Sequence, residues 1–207
     1  MKKITDKKEL MKLCSFIIMG DGGVYKRKDS KNYQFIMNMI KDNEDYINYC
    51  KDILENITSC RLVERKDYNT DNSTRKPQLR LESRIHPFFT TLHDRIYTEK
   101  YKGLDPHAFK LFDWECLAIL FMCDGCGCYK NKYKDYSLNL KRLSYGDQLF
   151  LKKQLKDKLD LEWNINKNGK FYYLRLRSCD YEKFENNISQ YILPSFKYKI
   201  LNEEPHE

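Results

Sequence analysis

The two halves of this chain repeat one another, and this repeat restricts the possible fold more than any other feature. Residues 13–23 and 116–127 are both apolar stretches that end in Asp-Gly and lead into a segment containing Tyr-Lys. Downstream, residues 79–83 read Leu-Arg-Leu-Glu-Ser and residues 174–178 read Leu-Arg-Leu-Arg-Ser. Because the matched features occur in the same order in each half, we predict an internal duplication of one structural unit.

Hydrophobic spacing predicts the same order of elements in both halves, which is helix, two strands, helix, two strands, helix. Pro87 and Asp180 are expected at helix starts, the latter as an N-cap, and Asn168-Gly169 is expected to form a hairpin turn. Helices are predicted at 7–20, 43–57, from Pro87 onward, 113–123, 145–158 and 180–192. Strands are predicted at 24–28, 33–39, 60–66, 78–84, 126–131, 136–142, 161–167 and 170–177.

This order predicts an α+β fold of two pseudo-symmetric αββαββα repeats, each with a four-stranded antiparallel sheet. We expect the N-terminal repeat at 1–102 and the C-terminal repeat at 113–201. A linker is expected at 103–112, and a loose tail at 202–207.

The charge of the chain favours a polyanionic partner. Its 207 residues include 38 Lys and Arg against 30 Asp and Glu, a net charge of +8. Each phosphate that such a surface neutralises releases counterions, which favours nucleic-acid binding. No signal peptide and no apolar run of bilayer length is found. We therefore expect a soluble intracellular protein without a membrane partner, in a bacterial or phage cytoplasm or an organelle matrix.

Cysteines cluster at the start of the second repeat, where Cys123, Cys126 and Cys128 form a C-x-x-C-x-C pattern. A closed zinc site needs four ligands, commonly as two spaced pairs, and this segment supplies no second pair. We therefore interpret these cysteines as small packing residues around a helix end.

Alternation along the strands predicts one polar face on each sheet. Leu79 and Leu81 point one way while Arg80 points the other, and Leu174 and Leu176 alternate with basic and tyrosine residues in the same manner. Arg, Lys, Gln and Asn are the side chains that read base edges in the major groove, although a water-facing sheet shows the same alternation. The residues predicted to face DNA are Tyr25, Lys26, Arg27, Gln34, Arg61, Lys66, Arg80, Arg84, Lys130, Asn139, Lys141, Asn164, Tyr173, Arg175 and Arg177.

An aspartate ends the apolar helix of each repeat, at Asp21 and Asp124. The negative end of a helix dipole disfavours a carboxylate at this position. A single Asp-Gly would nevertheless be interpreted simply as a helix stop. Two such aspartates at matching places favour a shared role. If the two helices pack side by side, the carboxylates meet and a hard cation such as Mg²⁺ would neutralise them.

The chain resembles a single-chain, two-repeat LAGLIDADG homing endonuclease. The matching motifs are Cys14–Gly22, continuing to Gly23, and Leu117–Gly125. The resemblance implies a monomer whose two curved sheets straddle a long pseudo-palindromic DNA site, packed through the two motif helices. Phe16 and Ile119 depart from the family, which often has a small residue at the helix crossing.

The resemblance also implies a set of site residues. Asp21 and Asp124 would ligate Mg²⁺ and each help to cut one strand, with Mn²⁺ or Ca²⁺ able to substitute for binding. Gly20 and Cys123, which precede the two aspartates, are included in the metal site. A catalytic lysine in each repeat is assigned to Lys102 and Lys199, with Lys100 and Lys197 as nearby alternatives.

The predicted function is site-specific double-strand DNA cleavage by an intron-encoded enzyme. One alternative is an RNA-binding maturase of the same fold, whose partner would be its host intron RNA. The other is a non-catalytic DNA-binding regulator. Aspartates at both motif ends favour cleavage.

Overall fold

The computed structural model describes residues 3–65, 76–98 and 101–201. The chain divides into two compact units, Met1–Ile96 and Tyr97–Glu207. Within the described ranges no helix is long and apolar enough to cross a bilayer. The α-helices are α1 (Lys7–Met19), α2 (Glu44–Leu54), α3 (Pro87–Ile96), α4 (Trp114–Asp124), α5 (Tyr145–Leu159) and α6 (Tyr181–Ile188). The strands are β1 (Gly23–Lys26), β2 (Tyr33–Ile40), β3 (Cys60–Arg65), β4 (Gln78–Ser83), β5 (Gly125–Lys130), β6 (Tyr133–Leu138), β7 (Trp163–Asn168) and β8 (Phe171–Leu176).

The sheets of the two units share one topology. The strand order is β1-β2-β4-β3 in the first unit and β5-β6-β8-β7 in the second, and the paired strands are antiparallel. Tyr25 lies opposite Gln34 in the first sheet, and Cys128 lies opposite Asp135 at the equivalent place in the second. The predicted fold class, two αββαββα repeats with four-stranded antiparallel sheets, is confirmed.

The core of the first unit lies on the helix side of its sheet. Leu79, Leu81 and Ser83 of β4 are buried, as their alternation predicted. On the neighbouring strand, Phe35 lies 6.3 Å from Phe89 of α3, measured between ring centroids. Burying side chains of this size contributes roughly 1.5–3 kcal/mol each, which fixes which face of the sheet is left for solvent or a ligand.

An aromatic cluster forms the core of the second unit. Phe184 of α6 lies 5.1 Å from Phe121 of α4 and 5.0 Å from Tyr136 of β6, between ring centroids. Trp163 of β7 lies 6.1 Å from the same ring. Tyr136 therefore points to the helices. Because side chains alternate along a strand, its neighbours on β6 point to the opposite face.

The segment predicted as a linker, 103–112, is part of the second unit. Phe109 is buried and lies 5.2 Å from Phe150 of α5, with the two rings edge to face. Asp105 is fully buried and accepts a hydrogen bond of 2.9 Å from the main-chain N–H of His107. The connection between the repeats therefore contributes to the core.

Strand β6 begins and ends earlier than its predicted range, 136–142. Asn131 and Lys132 both have positive φ, so they close a tight hairpin between β5 and β6. Beyond Leu138 the chain leaves the sheet and enters the capping box at the start of α5, in which Ser144 accepts a hydrogen bond from the N–H of Asp147. The prediction of a strand across 139–142 was therefore wrong.

Three further local predictions were wrong in the last third of the chain. The hairpin turn is Gly169-Lys170, one residue later than predicted, because Asn168 still pairs with Phe171 and Gly169 alone takes a positive φ. Asp180 stands before α6, but its carboxylate does not cap the helix and instead accepts a hydrogen bond of 2.6 Å from the N–H of Glu162. Helix α6 ends at Ile188, short of the predicted 192.

Candidate active site and nucleic-acid interface

Asp21 lies in the sharp turn between α1 and β1. The N–H of Gly20 donates to the carbonyl of Phe16, and the N–H of Gly22 donates to the carbonyl of Ile17, each at 2.9 Å. A side chain at Gly22 would lie 2.8 Å from the Ile17 carbonyl, so only glycine fits this close turn. The result is an exposed carboxylate at the end of a buried helix.

Asp124 is the last residue of α4, at the matching place in the second unit. Its carbonyl accepts a hydrogen bond of 2.8 Å from the N–H of Asn139, which ties the helix end to the end of β6. Its carboxylate accepts a hydrogen bond of 3.1 Å from Nη1 of Arg142. The side chain stays partly exposed, so one ion pair orients the carboxylate and leaves part of it open to solvent.

Arg142 was not identified from the sequence. In the described part of the chain, its Nε and Nη2 are buried without a hydrogen-bond partner. Buried donors left unpaired cost roughly 1–3 kcal/mol, which an anionic oxygen reaching this guanidinium would recover. No motif marks this residue, since it lies in an irregular segment between β6 and α5.

The donor chemistry suits a hard divalent cation. Carboxylate oxygens such as those of Asp21 and Asp124 are the ligands that Mg²⁺ prefers. Gly20 can offer only its main chain, and the soft sulfur of Cys123 suits Mg²⁺ poorly, so its carbonyl is the better donor. Across residues 3–65, 76–98 and 101–201 no three His, Cys, Asp or Glu side chains form a metal-binding group. Main-chain carbonyls, phosphate oxygens or water would complete such a ligand set.

Lys199 is buried against the end of α4. Its side chain is 9% exposed, and Nζ donates to the carbonyls of Met122 at 2.6 Å and Phe121 at 3.3 Å. A side chain at Gly127 would lie 1.9 Å from the main-chain oxygen of Lys199, so the glycine allows this segment to approach β5. The positive charge therefore sits at the negative end of the helix that presents Asp124.

The other lysines predicted as catalytic candidates occupy varied surroundings. Lys102 is half-buried, pairs with Tyr97 in an isolated bridge and belongs to the second unit. Lys197 is exposed in the 3-10 helix Pro194–Lys199. Lys100 lies outside the described residues. Lys199 is therefore an assigned lysine that the structure places next to a motif helix.

We expect Lys199→Met to lower the free energy of unfolding by about 1–3 kcal/mol, because it removes the charged donor that binds the carbonyls at the end of α4 while it keeps the apolar stem. Thermal or urea denaturation measures this loss. Lys197→Met is the matched control, and its exposed side chain should leave stability nearly unchanged. Equal stability of both variants would contradict the helix-end role of Lys199.

A cleft of about 550 Å³ collects four of the residues predicted to face DNA in the first unit. Gln34 lies within it and is only 5% exposed, and its Oε1 has no hydrogen-bond partner among the described residues. Tyr25, directly opposite Gln34 on β1, is exposed. The predicted residues that line the cleft are Arg27, Gln34, Arg61 and Arg84.

Three other residues of this unit were predicted to face DNA, and the structure describes two of them. Arg80 lies on the polar face and forms an ion pair with Glu82. Lys26 alternates with Tyr25 and pairs with Tyr33, whose ring stacks on a histidine of α3, so the register places Lys26 on the helix side of β1, where it is exposed. Lys66 lies outside the described residues.

In the second unit, the predicted residues line two cavities on the sheet. Asn139, Lys141 and Tyr173 line the first. Asn164, Arg175 and Arg177 line the other. The polar face of this sheet therefore brings together residues from separate strands and the loop after β6, as a groove-reading surface requires.

Asp135 lies at the centre of this polar face and was not identified from the sequence. Its carboxylate binds both Lys130 of β5, at 2.5 Å, and Arg175 of β8, and its side chain is 2% exposed. Burial alone would raise the pKa of Asp135, but the hydrogen bonds from these two cations outweigh it and lower the pKa. The carboxylate is therefore ionised at neutral pH, and two predicted DNA-facing cations converge on it.

The cysteines at the start of the second repeat are not uniformly packed. Cys126 is exposed, while Cys123 and Cys128 are half-buried. The interpretation of all three as packing residues was therefore wrong for Cys126, because it lies on the edge strand β5, next to solvent.

The family model described as the LAGLIDADG DNA endonuclease family matches residues 17–184. "Probable intron-encoded endonuclease 1" of Wickerhamomyces canadensis is 28% identical over 192 residues, which cover 89% of this chain and 80% of the relative. "Cytochrome b mRNA maturase bI2" of Saccharomyces cerevisiae is 26% identical over 96% of this chain. The match covers 51% of that maturase, so the chain spans about half its length.

Among solved structures, the homing endonuclease I-WcaI bound to its DNA recognition sequence has a TM-score of 0.78 to this chain. The match covers 97% of this chain and 89% of I-WcaI at 24% identity. The likeness confirms the fold, and the family model covers both Asp-Gly motifs. The chain belongs to the LAGLIDADG DNA endonuclease family.

Proposed function

We propose that this protein is a divalent-metal-dependent endonuclease that cuts both strands of a long, pseudo-palindromic DNA site. The observation that carries the proposal is the matched placement of Asp21 and Asp124. Each lies at the C-terminal end of a buried helix, each precedes the edge strand of a sheet with a polar face, and neither turn would accept a residue larger than glycine after the aspartate.

Each repeat would supply one carboxylate, Asp21 or Asp124, as a ligand for divalent metal. The metal would supply Lewis acidity and lower the pKa of bound water. Arg142 would orient the carboxylate of Asp124. Lys199 would offset the helix dipole beneath it. These side chains hold the charges in place before DNA arrives, which reduces reorganisation during the reaction.

DNA recognition would use the polar faces of both sheets. In the first sheet, the cleft that contains Arg27, Gln34 and Arg61 would approach base edges and phosphates, and in the second, the cavities around Tyr173 and Arg175 would do so. The net charge of +8 favours the encounter with DNA and makes it salt-dependent. Because both repeats lie in one chain, a monomer would suffice to cover both half-sites.

The direct test is cleavage of DNA that spans an intronless copy of the candidate host gene. With purified protein and Mg²⁺, we expect one double-strand cut in this DNA and none after chelation of the metal. A copy interrupted by the intron is the matched control, since the insertion would divide the site. Binding to the intronless DNA without any cutting would contradict the nuclease proposal.

A maturase activity is the second candidate, favoured by the similarity to cytochrome b mRNA maturase bI2. Its test is splicing of the host intron RNA with and without the protein. Faster splicing together with no DNA cleavage would select this function over the nuclease.

A further inference from the structure

Asp135 joins cations from both neighbouring strands on the polar face of the second sheet. It lies on β6, between β5, which carries Lys130, and β8, which carries Arg175. Both cations bind its carboxylate, although both side chains also remain substantially exposed, 60% for Lys130 and 45% for Arg175. The carboxylate itself is only 2% exposed. The cations therefore cover the acid and present their outer surfaces to whatever binds this face.

The equivalent position in the first sheet is neutral. Gln34 lies opposite Tyr25 as Asp135 lies opposite Cys128, in the same register relative to the two Asp-Gly turns. Gln34 is also buried, but it carries no charge to hold neighbouring cations. The acid is therefore specific to the second repeat and is not required by the fold.

A buried acid beneath a DNA-binding face opposes affinity, since it repels phosphate and partly neutralises two cations. It also fixes those cations, because a long side chain held by a charge-assisted hydrogen bond loses rotamer freedom before the ligand arrives. Fixed donors discriminate between base edges, whereas free cations follow the phosphates and carry no sequence information. The geometry of Asp135 therefore favours discrimination between base sequences at the expense of general affinity for DNA.

We infer that Asp135 is a specificity-determining residue, which holds Lys130 and Arg175 in position to read base edges in the half-site bound by the second repeat. This inference rests on the proposed DNA-binding function. It assigns no catalytic role to Asp135, which acts only through the two cations that it positions.

The test compares target and random DNA for wild type and Asp135→Asn, with no divalent metal present. The target is a duplex that the wild-type protein recovers from a randomised pool, and the competitor is sheared random-sequence duplex. Losing one fixed base contact corresponds to about a tenfold loss of discrimination or more. We therefore expect the ratio of the two dissociation constants to fall about tenfold, while random DNA binds more tightly and with a salt slope steeper by about one.

Asp157→Asn on α5 is the matched charge control. Asp157 is an exposed partner of Lys153, on a helix that packs against the sheet from the core side, and its substitution adds the same unit charge. It should leave the discrimination ratio unchanged. If it lowers the ratio as much as Asp135→Asn does, net charge explains the effect and the inference is overturned.

Asp135→Glu distinguishes the effect of the carboxylate's position from the effect of its charge. It keeps the carboxylate but moves it by one methylene, so discrimination should fall while random-DNA affinity stays near wild type. If Asp135→Asn does not fold, as circular dichroism would show, Lys130→Gln replaces it. Arg175 still neutralises the acid in that variant, and target affinity should fall about tenfold more than random-DNA affinity.

Repeating the selection from the randomised pool with Asp135→Asn shows which half-site loses sequence preference. Sequence preference should weaken in one half-site and persist in the half read by the first repeat. Equal weakening in both halves, or a folded variant with unchanged discrimination, would overturn the inference. A wild-type protein that binds no duplex at all would instead contradict the proposed function.

Discussion

Replacing Asp21 or Asp124 with Asn is expected to reduce double-strand cutting at least about a hundredfold, because each substitution removes an anionic oxygen from the proposed metal site. DNA affinity should remain mostly intact, since the polar faces of the sheets are unchanged. Cleavage of supercoiled plasmid carrying the target measures nicked and linear products separately, and a binding assay in the absence of metal measures affinity.

Two exposed aspartates serve as controls for this prediction. Asp42, the partner of Lys76, and Asp157, the partner of Lys153, lie outside the proposed site. Their Asn variants should cut at nearly the wild-type rate. If Asp21→Asn and Asp124→Asn also cut at full rate, the assignment of the two aspartates as metal ligands is wrong.

Gly127→Ala should be among the most destabilising single substitutions in the second unit. The added Cβ would lie 1.9 Å from the carbonyl oxygen of Lys199, which is main chain and has little room to move. Overpacking of this kind costs about 1–3 kcal/mol of unfolding free energy. The displaced segment also carries the Nζ that binds the end of α4, so cleavage should weaken together with stability.

Gly146→Ala is the matched control for this substitution. Gly146 lies in the first turn of α5, and the nearest atom to an added Cβ is Oγ of Ser144 at 3.7 Å. Alanine fits there and lowers the entropy of the unfolded chain, so stability should rise by about 0.4–1 kcal/mol. Chemical denaturation of both variants checks the pair, and a stable Gly127→Ala protein would show that the segment around Lys199 can move.

The sequence predicted the fold because its signals were periodic and duplicated. The alternation of Leu79 and Leu81 placed the core face of β4 correctly, and the same motif around Leu174 did so for β8. The residues that were missed have no periodic signal. Arg142 lies in an irregular segment, and Asp135 gains its role only because β5 and β8 bring two cations beside it.

Local differences from the predictions arose where tertiary contacts decided between alternatives. Asp180 had the composition of an N-cap, but the N–H of Glu162 offered its carboxylate a better partner. Lys26 was grouped with Tyr25 because the two are adjacent in the sequence, whereas strand alternation separates them onto opposite faces. Lys199 was assigned as a catalytic lysine, and no sequence pattern indicated that its side chain is buried against the end of α4.

The packing of Phe109 against Phe150 has a consequence for how the two repeats could be exchanged or expressed apart. A chimaera joined within 103–112 would sever the second unit from part of its own hydrophobic core, whereas a junction between Ile96 and Tyr97 would keep each core whole. Recombination between relatives of this family should therefore succeed more often at the end of α3 than in the segment that follows.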